Sequence, residues 1–294
     1  MKKLSFILVL TMLFSLCAVS VSAAPAVDGR KTITAYAADV KIDGVIDSCW
    51  LDAETAHVDI VKENASAWFG DTSKVAGTDY ATLDVKVLWD GDSSLYLLYM
   101  VTDQLISTVG ENPWDRDSIE LFVQYDNTDD DPAATRSQIR WFSDSEVESG
   151  PAELIDYAYG AYAGGFVVEI EFDVSAVSDG NYLGIDFQYN DDAEGKGVRN
   201  VCLGWSDAVD AASSDSTVYG QCELSSTKIE EVTAAREAAE KAAADAAAAD
   251  AAADNAPAAD DAPATTPVTA DAGILALCAM MGAAAVVCVK NRKH

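Results

Sequence analysis

Between residues 38 and 226 one pattern recurs: short runs in which apolar and polar side chains alternate, separated by turn residues. Phe166-Val-Val-Glu-Ile-Glu-Phe172 is the clearest of them. A period of two puts Phe166, Val168, Ile170 and Phe172 on one face and Glu169 and Glu171 on the other, as a half-buried strand requires. Leu83–Trp89 and Leu95–Val101 repeat the pattern on either side of Asp90-Gly91, turn chemistry that closes a hairpin. Val40–Ile46, Asp117–Tyr125, Arg136–Phe142, Leu154–Tyr159, Tyr182–Tyr189, Asn200–Trp205 and Val218–Leu224 complete the series. No long helical period appears before residue 228. Regular short strands with polar turns predict an all-β fold, an antiparallel β-sandwich of ordinary domain size.

The rest of the chain reads as an address and a spacer. Residues 1–23 have the form of a secretory signal: Lys2 and Lys3, an apolar stretch, then Val21-Ser22-Ala23. Residues 228–267 turn to Ala, Asp, Glu and finally Pro. The first part, to Asp254, predicts a helical stalk because alanine is the best helix former, and the remainder predicts a flexible linker. Residues 272–289 are uninterruptedly apolar, roughly 27 Å as a helix, which is enough to span a bilayer core. The basic tail 290–294 then stays in the cytoplasm. Thr266-Pro-Val-Thr-Ala270 precedes the apolar run and resembles a Gram-positive cell-wall sorting signal, with Thr266 in place of the usual Leu and Ala270 in place of Gly. Sortase processing and a plain membrane anchor both remain open. Either places the domain on the extracellular face of the membrane or in the wall of a Gram-positive bacterium.

The net charge of −30 argues against nucleic acid, which needs a basic footprint, and is compatible with calcium, a hard cation that takes oxygen ligands. Of the six cysteines, Cys49, Cys202 and Cys222 fall in the exported domain. A Cys202–Cys222 bridge is the foremost pairing, and free buried thiols are the alternative.

Alternation also exposes candidate chemistry. In Asn112-Pro-Trp-Asp-Arg-Asp-Ser-Ile-Glu-Leu-Phe122, the side chains of Ile119, Leu121 and Val123 point inward, so Glu120 points outward, with Trp114 just ahead of the strand. Arg140 lies between Ile139 and Trp141, and Gln188 between Phe187 and Tyr189, on the face shared by Asp186 and Asn190. If these strands share a sheet, an acid, a base and an amide lie together beside an aromatic ring. Such groups make paired hydrogen bonds to vicinal hydroxyls, and the ring stacks on the C–H face of a pyranose. The plainer alternative is a core Trp and a cross-strand ion pair, worth little at a surface.

Several segments together resemble a family 9 carbohydrate-binding module, a sandwich related in shape to DOMON domains. They are Lys41–Trp50, Val85–Asp90 with Leu95–Leu98, Pro113–Phe122, Gly184–Asp191, Trp205-Ser-Asp207 and Tyr219-Gly220, in family order over nearly the whole domain. The resemblance implies a non-catalytic, xylanase-associated binder of β-linked xylan or glucan fragments that supports polysaccharide breakdown. It implies that Trp114, Glu120, Arg140 and Gln188 form the site, and that structural calcium is present. Asp103 is the candidate metal ligand, ahead of the acidic loop Asp126 with Asp129–Asp131. Some members clamp the sugar between two tryptophans. Here Asp210-Ala-Ala-Ser-Ser-Asp215, where the second ring would fall, has no aromatic. Trp68 and Tyr162 are the candidate replacements from other loops.

Three rivals remain. A xylanase-type hydrolase needs two carboxylates across one bond, but Asp117 and Glu120, three apart on a strand, point to opposite faces. A haem-binding DOMON-type electron carrier needs His or Met ligands, and His57 and Met100 both read as packed core, so no haem is expected. A protein-binding adhesin on the same fold is the third.

Overall fold

The computed structural model describes residues 24–62, 81–130, 136–144, 147–148 and 153–254. The expected signal, sorting motif, membrane segment and basic tail lie outside these residues, as do Trp68 and Asp131. Twelve strands are described: β1 (Thr32–Ala37), β2 (Thr55–Val58), β3 (Ile60–Val61), β4 (Thr82–Trp89), β5 (Ser94–Thr102), β6 (Ser118–Gln124), β7 (Arg136–Phe142), β8 (Leu154–Tyr162), β9 (Gly165–Asp173), β10 (Tyr182–Asp191), β11 (Val201–Gly204) and β12 (Gly220–Lys228). A helix, α1 (Ile229–Asp254), follows β12 directly. The chain divides into two compact units after Ala243, and the strands all belong to the first.

The sheet is mixed, which corrects the purely antiparallel expectation. β1 runs parallel to β12, and parallel to β4 at Tyr36 and Ala37. Side-chain alternation reports which face a residue occupies, not the direction of the neighbouring strand, so this could not be seen in the sequence. The other pairings are antiparallel. β10 is central: one edge pairs with β6 along Gly184–Asn190, and the other pairs with β12 at Tyr182–Ile185 and with β11 at Gln188–Asp191.

The strands fold over a common core. Val85, Leu97, Tyr99, Val168 and Ile170 on one side meet Ile119, Leu121, Ile139, Trp141 and Phe187 on the other. Tyr99 bridges them, its ring centroid 5.9 Å from Phe187, edge-on, and 6.4 Å from Trp141. Offset and edge-on arrangements of this kind are favourable beyond the area they bury.

Two expectations change on the outer face of β9. Glu169 does point away from the core, yet it is fully buried. Trp50, Leu88, Leu98, Val167 and Ile229 form a second apolar cluster there. The Glu169 carboxylate accepts from the amides of Asp43 (3.0 Å) and Gly44 (2.8 Å) and from the Trp50 indole (2.9 Å). For the same reason Val40–Ile46 is not a strand. Its amides serve Glu169 instead of a ladder, and Gly44, at φ +76°, lies so close to Tyr159 that a Cβ would sit 2.2 Å from the carbonyl oxygen. Only glycine tolerates both conditions.

Cys49, Cys202 and Cys222 are all free thiols. Cys202 sits opposite Asn190 and Cys222 opposite Leu183 along the same edge of β10. That separation is roughly 23 Å at ~3.3 Å per residue, whereas a disulfide needs Cα atoms within about 7 Å.

Candidate functional site

Ladder register brings the outward polar residues together. Gln188 on β10 is directly opposite Glu120 on β6, and Glu120 is directly opposite Arg140 on β7. The three therefore occupy one rung, in adjacent strands, on the face away from the core. A cleft of about 660 Å³ opens over this rung. Its floor includes Gln188, Glu120 and Arg140, with Trp114 from the short 3-10 turn Pro113–Asp115 at one wall. That turn is held by the Asp115 carboxylate, which accepts from the Asn112 amide (3.2 Å) and side chain (2.8 Å). Such reciprocal capping fixes where the indole stands.

Glu120 is the electrostatic centre of the floor, and its surroundings differ from the expectation. It is 1% exposed. Its Oε1 accepts from Arg140 Nη2 (2.8 Å), Gln188 Nε2 (3.1 Å) and Asn190 Nδ2 (2.5 Å), and its Oε2 accepts from Gln138 Nε2 (2.6 Å). Burial pushes its carboxyl upward, but Arg140 and the amide donors outweigh that and hold it below the usual range. It is a carboxylate at neutral pH with no proton to donate, and nearly all of its acceptor capacity is committed to protein. It orients Arg140 and Gln188 as much as it faces the cleft. The pair with Arg140 is buried and is not the surface ion pair weighed as an alternative: the side chains are 8% and 1% exposed.

Further residues enter that the sequence reading did not single out as candidates. Asn190 was already placed on this face beside Gln188 but given no role, and Gln138, two positions from Arg140, follows by the same alternation. Lys62, Arg199 and Glu148 come from outside the strands and carried no local signal. Lys62 donates to Gln188 Oε1 (2.6 Å) and Asp207 Oδ2 (2.8 Å). Arg199 donates to Asn190 Oδ1 and Asp210 Oδ2, both at 2.8 Å. Glu148 accepts from Arg140 Nη1. The Asp210–Asp215 stretch lines the cleft through Asp210, Ser213 and Ser214, so two serines and an aspartate occupy the wall where a second ring was missing. Tyr162 does not line the cleft.

A separate acidic cluster surrounds Asp103. One carboxylate oxygen each from Asp103, Asp117 and Asp191 lies within 4.8 Å of the others. Asp117 accepts from the Asp192 amide (2.7 Å), and Asp191 Oδ2 from the Ala81 amide (2.9 Å). Asp191 Oδ1 is buried without a hydrogen-bond partner. Burial, with repulsion from Asp103 and other neighbouring acids, pushes the Asp117 carboxyl up to about 8 and that of Asp191 to about 7. An all-oxygen set with an orphaned buried oxygen fits a hard cation such as calcium. Asp129 of the acidic loop instead pairs with Arg30 at 3.7 Å. Asp117 thus belongs to this buried cluster and offers no second carboxylate to the cleft.

His57 corrects another expectation. It is exposed, not packed in the core, and lies 2.7 Å from Asp84. Met100 is partly buried and packs against the second apolar cluster.

Residues 42–227 match the model of a family described as carbohydrate family 9 binding domain-like. Endo-1,4-beta-xylanase A of Thermotoga neapolitana is 30% identical over 205 residues, which are 67% of this chain and 18% of that enzyme. Endo-1,4-beta-xylanase C of Paenibacillus barcinonensis is 30% identical over 185 residues, 61% of this chain and 16% of the enzyme. The chain spans less than a fifth of the length of these relatives. A family 9 carbohydrate-binding module of Caldicellulosiruptor kristjanssonii, solved with glucose, superposes with a TM-score of 0.57 at 20% identity, covering 67% of this chain and 97% of that one. The same module solved with cellotriose gives the same score and identity. At that identity the likeness shows a shared fold.

Proposed function

Since the chain belongs to the carbohydrate family 9 binding domain-like family, we propose that its cleft binds β-linked glycan fragments, of xylan or glucan type, at the Gln188–Glu120–Arg140 rung. The domain is a carbohydrate binder and not an enzyme. The observation that carries the site assignment is the rung itself: an amide, a carboxylate and a guanidinium, adjacent in register, under a cleft walled by Trp114. Arg140 and Gln188 supply planar donors for hydroxyls, and Trp114 supplies a face for pyranose C–H groups. The relatives named as xylanases and the module solved with glucose and cellotriose support a β-glycan as the ligand class.

Calcium is proposed as a structural ion held by Asp103, Asp117 and Asp191, where it would neutralise a cluster in which burial and repulsion disfavour the charged forms of Asp117 and Asp191. Export through residues 1–23 and anchoring through 272–289, with or without a sortase, complete the proposal of a binder displayed on a Gram-positive cell surface. The folded-over sheet supports the description of a β-sandwich of the jelly-roll or DOMON-like kind. Titration of the purified full-length chain with cellotriose and xylotriose tests the binding assignment. Saturable binding to the parent that Trp114→Ala weakens supports it, and no binding to either sugar would refute it.

A further inference from the structure

Resting on the sugar-site reading, we propose that Glu148 is the carboxylate that receives ligand hydroxyls, and that with Asp210 it makes the cleft select neutral glycans over uronate-bearing ones. Glu120 itself has little acceptor capacity to spare. That residue has the family-like position, but four protein donors hold its two oxygens and it is 1% exposed. It is poorly placed to receive more than one further hydrogen bond. Glu148 is the opposite case. Its side chain is 45% exposed and it lines the same cleft.

One oxygen of Glu148, Oε2, is held by Arg140 Nη1, and among the described residues Oε1 accepts nothing. The result is a chain of alternating charge, Glu120–Arg140–Glu148, that runs from the buried floor to the rim. A half-exposed glutamate is thereby held through one oxygen, which leaves the other uncommitted as an acceptor among the described residues. Preorganised, ionised acceptors make the stronger class of hydrogen bond to hydroxyl donors.

The same bookkeeping of charge determines which ligands are refused. Asp210 stands at the other side of the rung, held at 2.8 Å by Arg199 Nη2 and 3.8 Å from Lys62. It adopts a left-handed backbone (φ 57°) and lines the cleft. The ionised groups lining the cleft are thus Glu120, Glu148 and Asp210 against Arg140 and Arg199. Arg140 is already bonded to Glu120 and Glu148, and Arg199 to Asn190 and Asp210. A carboxylate on the ligand would meet the Glu148 carboxylate and a net negative wall, with both guanidiniums engaged. A neutral hydroxyl meets an acceptor.

The test is isothermal titration of the full-length chain with xylotriose and with xylotriose bearing one glucuronic acid, at pH 7, for the parent, Glu148→Gln, Glu148→Ala and Trp114→Ala. Expected results are a tenfold or greater preference of the parent for the neutral sugar, shrinking in 1 M salt, where charges are screened within about 3 Å. Glu148→Gln, whose amide oxygen still accepts, should weaken neutral binding less than Glu148→Ala and narrow the preference severalfold. Glu148→Ala should lose about tenfold in neutral binding. If both Glu148 variants match the parent in affinity and preference while Trp114→Ala loses binding, this inference falls and the sugar site stands. If the parent binds neither sugar, the sugar-site reading falls and takes the inference with it.

Discussion

Replacing Arg140 with alanine should damage the fold as well as the site, because among the described residues Arg140 is the only cation bonded to the buried Glu120 carboxylate. Removing one partner of a buried ion pair typically costs about 3–5 kcal/mol. Gln138, Gln188 and Asn190 still donate to Glu120, which places the expectation near the lower end, at about 3 kcal/mol. The effect should depend on pH in a direction set by Glu120. In the parent its folded carboxyl lies below the usual range, so the pair's contribution is complete above the unfolded glutamate value of about 4.3 and is lost as pH falls through the folded value. In Arg140→Ala, burial is no longer opposed by a charge, and the folded carboxyl rises above the unfolded one. The native state then holds the extra proton. The variant's own penalty is absent below about pH 4.3 and grows as pH rises through the raised folded value, so the gap to the parent narrows toward pH 4 and closes only as the parent's folded carboxyl protonates. Urea unfolding of parent and variant at pH 4 and pH 7 measures this. Arg140→Met combined with Glu120→Gln should recover at least about 2 kcal/mol at pH 7, since no buried charge remains, while sugar binding stays lost. A gap between parent and Arg140→Ala below about 1 kcal/mol at pH 7, or a gap unchanged at pH 4, would refute the reasoning.

Trp114→Ala, by contrast, removes a half-buried wall residue and should weaken β-glycan binding by about 0.5–1.5 kcal/mol with little change in urea midpoint; calorimetry with parallel unfolding curves separates the two effects. Chelation of calcium should lower the melting temperature, and more at pH 8 than at pH 5. Without a cation, Asp117 and Asp191 hold protons in the folded state up to about 8 and about 7 that the unfolded chain has already released, so stability falls as pH rises through that window. A reductant should leave the melting temperature unchanged, because the three thiols are free; a fall of several degrees would reveal a bridge.

Much of the strand pattern was legible because half-buried strands impose a period of two, and β7 and β9 coincide with the runs read from it. What failed were segments whose backbone is claimed by a distant side chain. Val40–Ile46 alternates like a strand, but Glu169, 125 residues away in sequence from Gly44, takes its amides. β1 was missed, and with it the parallel pairing, because Thr32–Ala37 precedes the region where alternation is strong and direction leaves no mark on composition. The site divided in the same way. Glu120, Arg140 and Gln188 were each readable as outward-facing, and register alone made them neighbours. Lys62, Arg199 and Glu148 arrive from outside the strands, where no periodicity announces a contact. Asp117 faces away from Glu120 as alternation requires, but its partners Asp103 and Asp191 lie at the ends of two other strands, and only the fold brings the three together.

The central claim is tested most directly by calorimetric titration of the full-length chain with a panel of xylo-, cello- and galacto-oligosaccharides, each with native and reduced ends. The account predicts saturable binding to xylo- or cello-oligosaccharides that Trp114→Ala weakens while the protein remains folded. No heat with either series from a folded parent, or equal binding by Trp114→Ala, would contradict it.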